Sequence, residues 1–431
     1  MNLLRKFKIK FKLFCHKSLK VGFFLAIRQL KRANVWTSSF IIFIMFLTFL
    51  NLIVVNGILI GLIEGSSRAY RVQYSGDILI SKPENKEFIK DSQEIIKKIQ
   101  NIEEIESISP RMLAGGRIIH DYTKKLKFAE VQDQTTAEVA GIDPDLEKKV
   151  TNIEELIIAG EYLDKSDKNY ILVGSSLLKK YSEDLPGIES LEEEVDVGSK
   201  IKLLVGQNSK ELEIKGILDS KIGQVGRRIY LVDSRLKELM EQEEKNVNEI
   251  AIKIKDGYTP EFVKDIILDK DIDPKYALVQ TWDESQGEFL EDIKNTFSML
   301  SNLIGAIGII VSSITLFIVI FINAISRERF IGIMKGIGIC GEAIQVSYII
   351  QALFYIISGT TLGMLVLYGF LKPYIDKNPI DFPFSDGILV APIEDVSFRI
   401  VILIIITIIA SYIPSKMIIK KNTLNSILGR K

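Results

Sequence analysis

The chain has 431 residues, 55 of them Lys or Arg and 55 Asp or Glu, with only two histidines, His16 and His120, and two cysteines, Cys15 and Cys340. So small a stock leaves no histidine cluster and no disulfide framework, and the length allows two or three domains. The zero net charge is an average over unlike segments: residues 1–36 carry ten basic and no acidic residues, residues 415–431 carry five and none, and residues 64–293 carry 48 acidic against 33 basic.

In chain order, residues 1–32 interleave Phe7, Ile9, Phe11, Leu13 and Phe14 with lysines. That mixture suits a segment lying on an anionic inner leaflet, although a basic tail serving only topology would look the same. Phe24–Arg32 reads as a helix leading into residues 33–63, which contain no charged side chain and are long enough to cross a bilayer. The run is too long for a signal peptide, and no small-x-small site follows it before Glu64, so an uncleaved anchor is expected. Basic residues before the span place the N-terminus in the cytoplasm and residues 64–293 outside. Gly57 and Gly61 form a Gly-xxx-Gly pair in this span, and Gly359 and Gly363 form another further on. Such pairs let helices approach closely in lipid, but composition alone also produces them.

The 64–293 segment predicts an α+β domain inserted between the first two spans. Asp77–Ser81, Lys86–Gln100 and Ile105–Ser109 read as strand, helix and strand. Asn248–Ile254, Thr259–Leu268 and Ala277–Thr281 repeat the order, with Thr259 as N-cap and Pro260 at the first helical position. Between these two β-α-β units, about residues 111–247, lies a β-rich insert. Its predicted strands are Lys125–Val131, Glu138–Ile142, Tyr170–Val173, Lys200–Leu204, Glu211–Ile217 and Arg228–Val232. A subdomain built from both ends with a second inserted between them brings both ends of the domain back to the membrane. Without cysteines, the domain must rest on its hydrophobic cores.

Residues 295–326 and 343–371 are again uncharged, and residues 398–415 give a shorter fourth run, extended by snorkelling of Arg399 and Lys416. The expected fold is therefore four transmembrane helices plus one large extracytoplasmic domain. The cytoplasm receives residues 1–32, 327–342 and 416–431, and the acidic loop 372–397 lies outside. Both termini are expected on the cytoplasmic side of a cytoplasmic membrane. No Gly-x-x-x-x-Gly-Lys-Ser/Thr occurs, and Gly198-Ser199-Lys200 has the wrong order, so the chain is not expected to be an enzyme and any ATP would be bound by a partner. No catalytic residue, metal site, cofactor or nucleic-acid partner is expected. Asn302 and Asn323 read as interhelical hydrogen-bonding residues.

One span, a large outer domain and three further spans is a layout that resembles the FtsX-like permeases of ABC transporters, which include MacB-type efflux and LolC/LolE-type lipoprotein-releasing subunits. Leu25–Arg32 is similar to that family's leading helix. Ser109-Pro110-Arg111, Gly141-Ile142-Asp143-Pro144, Gly160-Glu161-Tyr162-Leu163, Val173-Gly174, Val197–Ile201, Lys215–Leu218 and Thr281-Trp282 follow the order of the LolC/LolE branch. Arg327–Gly338 is similar to the family's cytoplasmic turn, and Pro414 with Asn422–Leu428 to its closing segment. The resemblance implies a dimer with a second permease subunit and separate ABC ATPase subunits at the inner face. It also implies ATP-driven motion passed to the outer domain, which acts on a lipoprotein, an efflux adaptor or a cell-wall hydrolase. On that reading Ile331, Ile333, Met334 and Ile337 offer apolar knobs to the ATPase. Arg327, Glu328, Arg329 and Lys335 supply charge, and Gly336 and Gly338 end the short helix. The plainer alternative is a topogenic loop, which would not require four apolar residues on so short a turn.

Overall fold

The computed structural model describes residues 18–122, 132–181, 190–192, 194–241, 246–270, 272–382 and 385–420. Cys15, His16, the Lys125–Val131 strand and the Asn422–Leu428 segment lie outside these residues. The chain divides into two compact units: Ile63–Ile293 with Asp381–Asp386, and the remaining residues.

In the helical unit, residues 18–31 form a first helix. Val35–Tyr70, Gly287–Ser326, Gly341–Val366 and Ile393–Ile419 follow, all containing stretches long and apolar enough to cross a membrane. The first of these has 36 residues, about 54 Å at 1.5 Å per residue, well beyond a hydrocarbon core of about 30 Å. It runs past the expected limit at Ile63 because a lone Glu64 or Arg68 does not stop a helix. Gly341–Val366 continues through a π-helical turn, Leu367–Leu371, into Lys372–Lys377.

The helical core joins Met45 and Phe49 of the first long helix to Tyr348, Ala352, Tyr355 and Ile356 of the third and Leu403 of the fourth. A Cβ at Gly359 would lie 2.6 Å from the Met45 Cβ, and one at Gly363 2.2 Å from a Phe49 ring carbon, so these glycines are where the two helices meet. Gly57 and Gly61 receive a different neighbour. A Cβ there would come within 2.6 Å of the Val390 carbonyl oxygen and 1.8 Å of that of Ile388, which belong to chain preceding the fourth helix. The Val390 N–H donates to the Gly57 carbonyl at 3.1 Å, so this pair accommodates a non-helical segment instead of a helix.

Arg399 also departs from its expected role. Asn56 and Ser301 are buried and hydrogen-bonded to each other. With the Asn56 amide turned to donate to Ser301, its oxygen accepts from Arg399 Nη2 at 2.6 Å and Nη1 at 2.8 Å. The guanidinium therefore turns into a polar cluster within the helical unit rather than snorkelling outward. Asn302 is exposed.

The other unit builds its strands in chain order: β1 (Ile78–Ser81), β2 (Ile105–Ile119), β3 (Gln134–Ile142), β4 (Ile157–Gly160), β5 (Tyr170–Gly174), β6 (Lys200–Val205), β7 (Asn208–Leu218), β8 (Arg228–Val232), β9 (Glu249–Ile254) and β10 (Leu278–Thr281). β10-β1-β9-β2 is an antiparallel sheet. With the helices Ser92–Ile99 and Pro260–Leu268 it forms a split β-α-β arrangement. Its core is Ile78, Ile80, Ile96, Ile99, Ile250, Ile252, Val263 and Ile267. Thr259 caps the second helix by accepting from the Phe262 N–H. The first helix is shorter than the predicted Lys86–Gln100. Ile89 is drawn into the core with its N–H on the Val247 carbonyl, and Asp91 takes a left-handed φ of 53°, so helix starts only at Ser92.

β2 is the long element, 15 residues where the sequence predicts five. Its first half pairs with β9 and its second half with β3 and β6. From there the ladder β2-β3-β8-β5-β7-β6 returns to β2 and closes into a ring of six strands. Ile118, Val139, Ile171, Val173, Ile201, Leu203, Ile214 and Ile229 pack together as its core. Closure leaves few free sheet edges.

Candidate functional site

Two places hold what the sequence singled out or what its layout requires. The first is the turn between the second and third long helices. Glu328–Gly336 is a helix, with Arg327 at its N-cap position. It ends in a Schellman motif: the Ile339 N–H donates to the Met334 carbonyl at 3.0 Å and the Gly338 N–H to that of Lys335 at 3.0 Å. Gly338 has φ 92°, which a side-chain-bearing residue rarely adopts, whereas Gly336 merely closes the last turn.

The 3.6-residue period divides the apolar residues of this helix. Ile331 and Met334 are 2% and 6% exposed, inside the helical core, while Phe330, Ile333 and Ile337 are 65%, 44% and 74% exposed. Of the four expected knobs, Ile331 and Met334 therefore hold the helix in place and only Ile333 and Ile337 face outward, joined by Phe330, which the sequence reading passed over. Lys335 is also engaged: its Nζ donates to the Ile419 carbonyl at 2.9 Å, at the C-terminal end of Ile393–Ile419, where a cation is favoured. Glu328 has a partner of its own, Arg329 is exposed and Arg327 is half-buried.

The second place is the root of the strand-rich unit, where its two ends meet. Beyond the Val35–Tyr70 helix, a π-helical turn, Arg71–Ser75, buries Tyr74. The Tyr74 hydroxyl donates to Glu249, and its ring lies 5.2 Å from the Arg111 guanidinium and 5.1 Å from that of Arg228. Arg111 is fully buried. Its Nε donates to Glu147 Oε2 at 2.9 Å and its Nη2 to Glu147 Oε1 at 2.6 Å, a bidentate fork. Nη2 also donates to the Tyr74 carbonyl at 2.6 Å, and Nη1 reaches Glu249 at 3.4 Å. Ser109 at 2.7 Å and Thr151 at 2.8 Å complete the shell of Glu147. Arg228 joins through Glu138 and Glu249. Burial by itself raises the Glu147 carboxyl, but the Arg111 charge and the hydrogen bonds from Arg111, Ser109 and Thr151 outweigh it and hold the group below the ordinary carboxylate range. Burial likewise works to lower Arg111, and the Glu147 charge reverses it.

The same root holds the two ends of the strand-rich unit together. Arg71 donates to Asp77 at 2.7 Å, Asp77 accepts the Ile254 N–H at 2.8 Å, and the Trp282 N–H donates to the Asp77 carbonyl at 3.0 Å. The Tyr70 hydroxyl donates to the Ser285 carbonyl at 2.8 Å. None of this cage was recognised as a site in the sequence. The one signal was Ser109-Pro110-Arg111, two of whose residues grip Glu147. Among the described residues, no three of His, Cys, Asp and Glu group as metal ligands. The His120 ring pairs with Asp121 and Asp133.

Residues 44–270, more than half the chain, match the MacB-like periplasmic core domain family, and residues 302–423 match the FtsX-like permease C-terminal family. Among solved structures, the periplasmic region of MacB from Actinobacillus actinomycetemcomitans is 14% identical, with a TM-score of 0.35, over 51% of this chain and 93% of that one. The extracellular domain of the noncanonic ABC-type transporter YknZ from Gram-positive bacteria is 11% identical, with a TM-score of 0.31, over 48% of this chain and 99% of that one. No curated protein matches the chain.

Proposed function

Because the chain belongs to the family of ABC-transporter permeases that join a MacB-like periplasmic core domain to an FtsX-like C-terminal region, we propose that it transmits ATP-driven motion from cytoplasmic ATPase subunits to its outer domain. The observation that carries this reading is the turn helix. Its inward residues, Ile331 and Met334, are locked into the helical core, while Phe330, Ile333 and Ile337 stand exposed beside Arg327 and Arg329. An ATPase subunit docked on that outward face pushes a rigid element. At the other end, the cage around Tyr74 fixes the chain leaving the first long helix to both subdomains of the outer unit, so movement of the span becomes movement of the domain.

Ile307, Val311, Ile314, Ile318 and Ile322 of the second long helix are exposed along one stripe, and a second permease subunit is the partner proposed to cover it. For the cargo we infer a lipoprotein, on the order of the LolC/LolE-like motifs alone. The test of coupling is co-purification of an ABC ATPase with the tagged chain. Phe330→Glu/Ile337→Glu should abolish it while leaving the protein inserted and monodisperse, and unchanged recovery would overturn the docking face. A drug or peptide recovered in place of a lipoprotein would overturn the cargo and leave the coupling intact.

A further inference from the structure

Within the helical unit, a cavity of about 610 Å³ opens between the helix of residues 18–31 and the turn helix Glu328–Gly336, a volume in the usual range for a small-molecule site. Its walls are largely apolar, with Phe24 and Phe330 among them. Arg28, Arg32 and Arg327 also line it, and among the described residues no carboxylate does. Tyr348 completes the set: it is 3% exposed, and its hydroxyl is buried with no hydrogen-bond partner among the described residues. Buried hydroxyls are nearly always satisfied, so an unpartnered one on a residue that lines a cavity is a place where an acceptor is called for.

These features select an occupant. A small inorganic anion would use the arginines and leave the apolar walls uncovered. A neutral hydrocarbon would cover the walls and leave three guanidiniums and a hydroxyl without acceptors. An amphiphile with an anionic head satisfies both, and the surroundings supply one. We propose that this cavity binds an anionic phospholipid of the inner leaflet, its phosphate held by Arg28, Arg32 and Arg327, an ester oxygen accepting from Tyr348, and acyl carbons against Phe24, Leu25 and Met334. The proposal rests on the reading above that this end of the helical unit lies at the cytoplasmic face. Such a lipid would tie the N-terminal helix to the turn helix and make coupling sensitive to the charge of the leaflet.

The test uses the full chain in nanodiscs containing trace phosphatidylglycerol or phosphatidylcholine with the same photoactivatable acyl chain, and labelled peptides are mapped by mass spectrometry. Phosphatidylglycerol should label the peptides carrying Phe24–Arg32 and Phe330–Ile337 at least fivefold more than phosphatidylcholine. Arg28→Gln/Arg327→Gln should remove that preference, and Arg28→Lys/Arg327→Lys should keep it. Equal labelling of the wild type by the two lipids overturns the proposal even if a variant fails to fold. So does loss of all label when an ATPase subunit is added, which would make the cavity a protein-docking surface. Both faces of a nanodisc are open, so the result is independent of topology. Reaction of Cys340, which is exposed, with an impermeant maleimide in intact and opened cells tests that separately.

Discussion

Replacing Arg111 by methionine keeps most of the side-chain volume and removes the charge at the centre of the root cage. Two bonds to Glu147, one to Glu249 and one to the Tyr74 carbonyl are lost together. Glu147 remains buried without its counter-charge, while Glu249 keeps Arg228 and Tyr74. Breaking a buried pair from one side costs about 3–5 kcal/mol, chiefly for the stranded charge. For a unit of this size that is a fall in midpoint of about 6–20 °C. The chain has two tryptophans, so a Trp36→Phe background leaves Trp282, at the root itself, as the sole fluorescent reporter of a thermal melt in detergent. Adding Glu147→Gln to Arg111→Met should restore at least ~1 kcal/mol, since the second change removes the stranded charge. Glu94→Ala, which breaks the exposed Lys98–Glu94 pair, should cost under ~0.5 kcal/mol. A cost below ~1 kcal/mol for Arg111→Met, or full additivity in the double variant, would refute the cage as the element that holds the root.

Three further outcomes follow from the same geometry. Glu147 is held below the ordinary carboxylate range in the folded state, so its stabilising contribution is full above about pH 4.5 and is lost as pH falls through the lower folded value; the Trp282 melting midpoint should drop more steeply between about pH 5 and pH 3 in wild type than in Arg111→Met/Glu147→Gln. Gly363→Leu forces a side chain into Phe49 and should cost ~1–3 kcal/mol or more, seen as loss of monodisperse protein on gel filtration, whereas Gly369→Ala, with nothing within 4 Å, should behave as wild type. Asn56→Leu removes the acceptor facing Arg399 and should lower the melting midpoint of the helical unit, with Arg399→Leu restoring part of the loss.

Much of the fold was legible because the physics behind it is local. Uncharged runs marked the long helices, and alternation and caps marked both β-α-β repeats, down to Thr259 and Pro260. What escaped was set by contacts distant in sequence. Closure of the six-stranded ring depends on β2 meeting β6, some ninety residues away, and nothing in either strand announces the partner. The late start of the predicted Lys86 helix is dictated by Val247. The turn helix shows the same limit at the candidate site. Its periodicity revealed an apolar face but not that Ile331 and Met334 point inward and Phe330 outward, because that depends on Ile344 and Tyr348, which join them in one core. The motifs that carried the family resemblance sit at joints. Asp143 caps the Pro144–Val150 helix, Gly160 has φ 79°, and Arg111 centres the cage. Such residues report how the domain is built and are silent on what it handles.

The central claim is that the outward face of Glu328–Gly336 receives an ATPase subunit. A photocrosslinking amino acid placed singly at Phe330, Ile333, Met334 and Ile337 in living cells tests it at contact range. The account predicts adducts to an ABC ATPase from Phe330, Ile333 and Ile337 and none from Met334, whose neighbours lie within its own chain; absence of ATPase adducts from all three exposed positions in correctly inserted protein would contradict it.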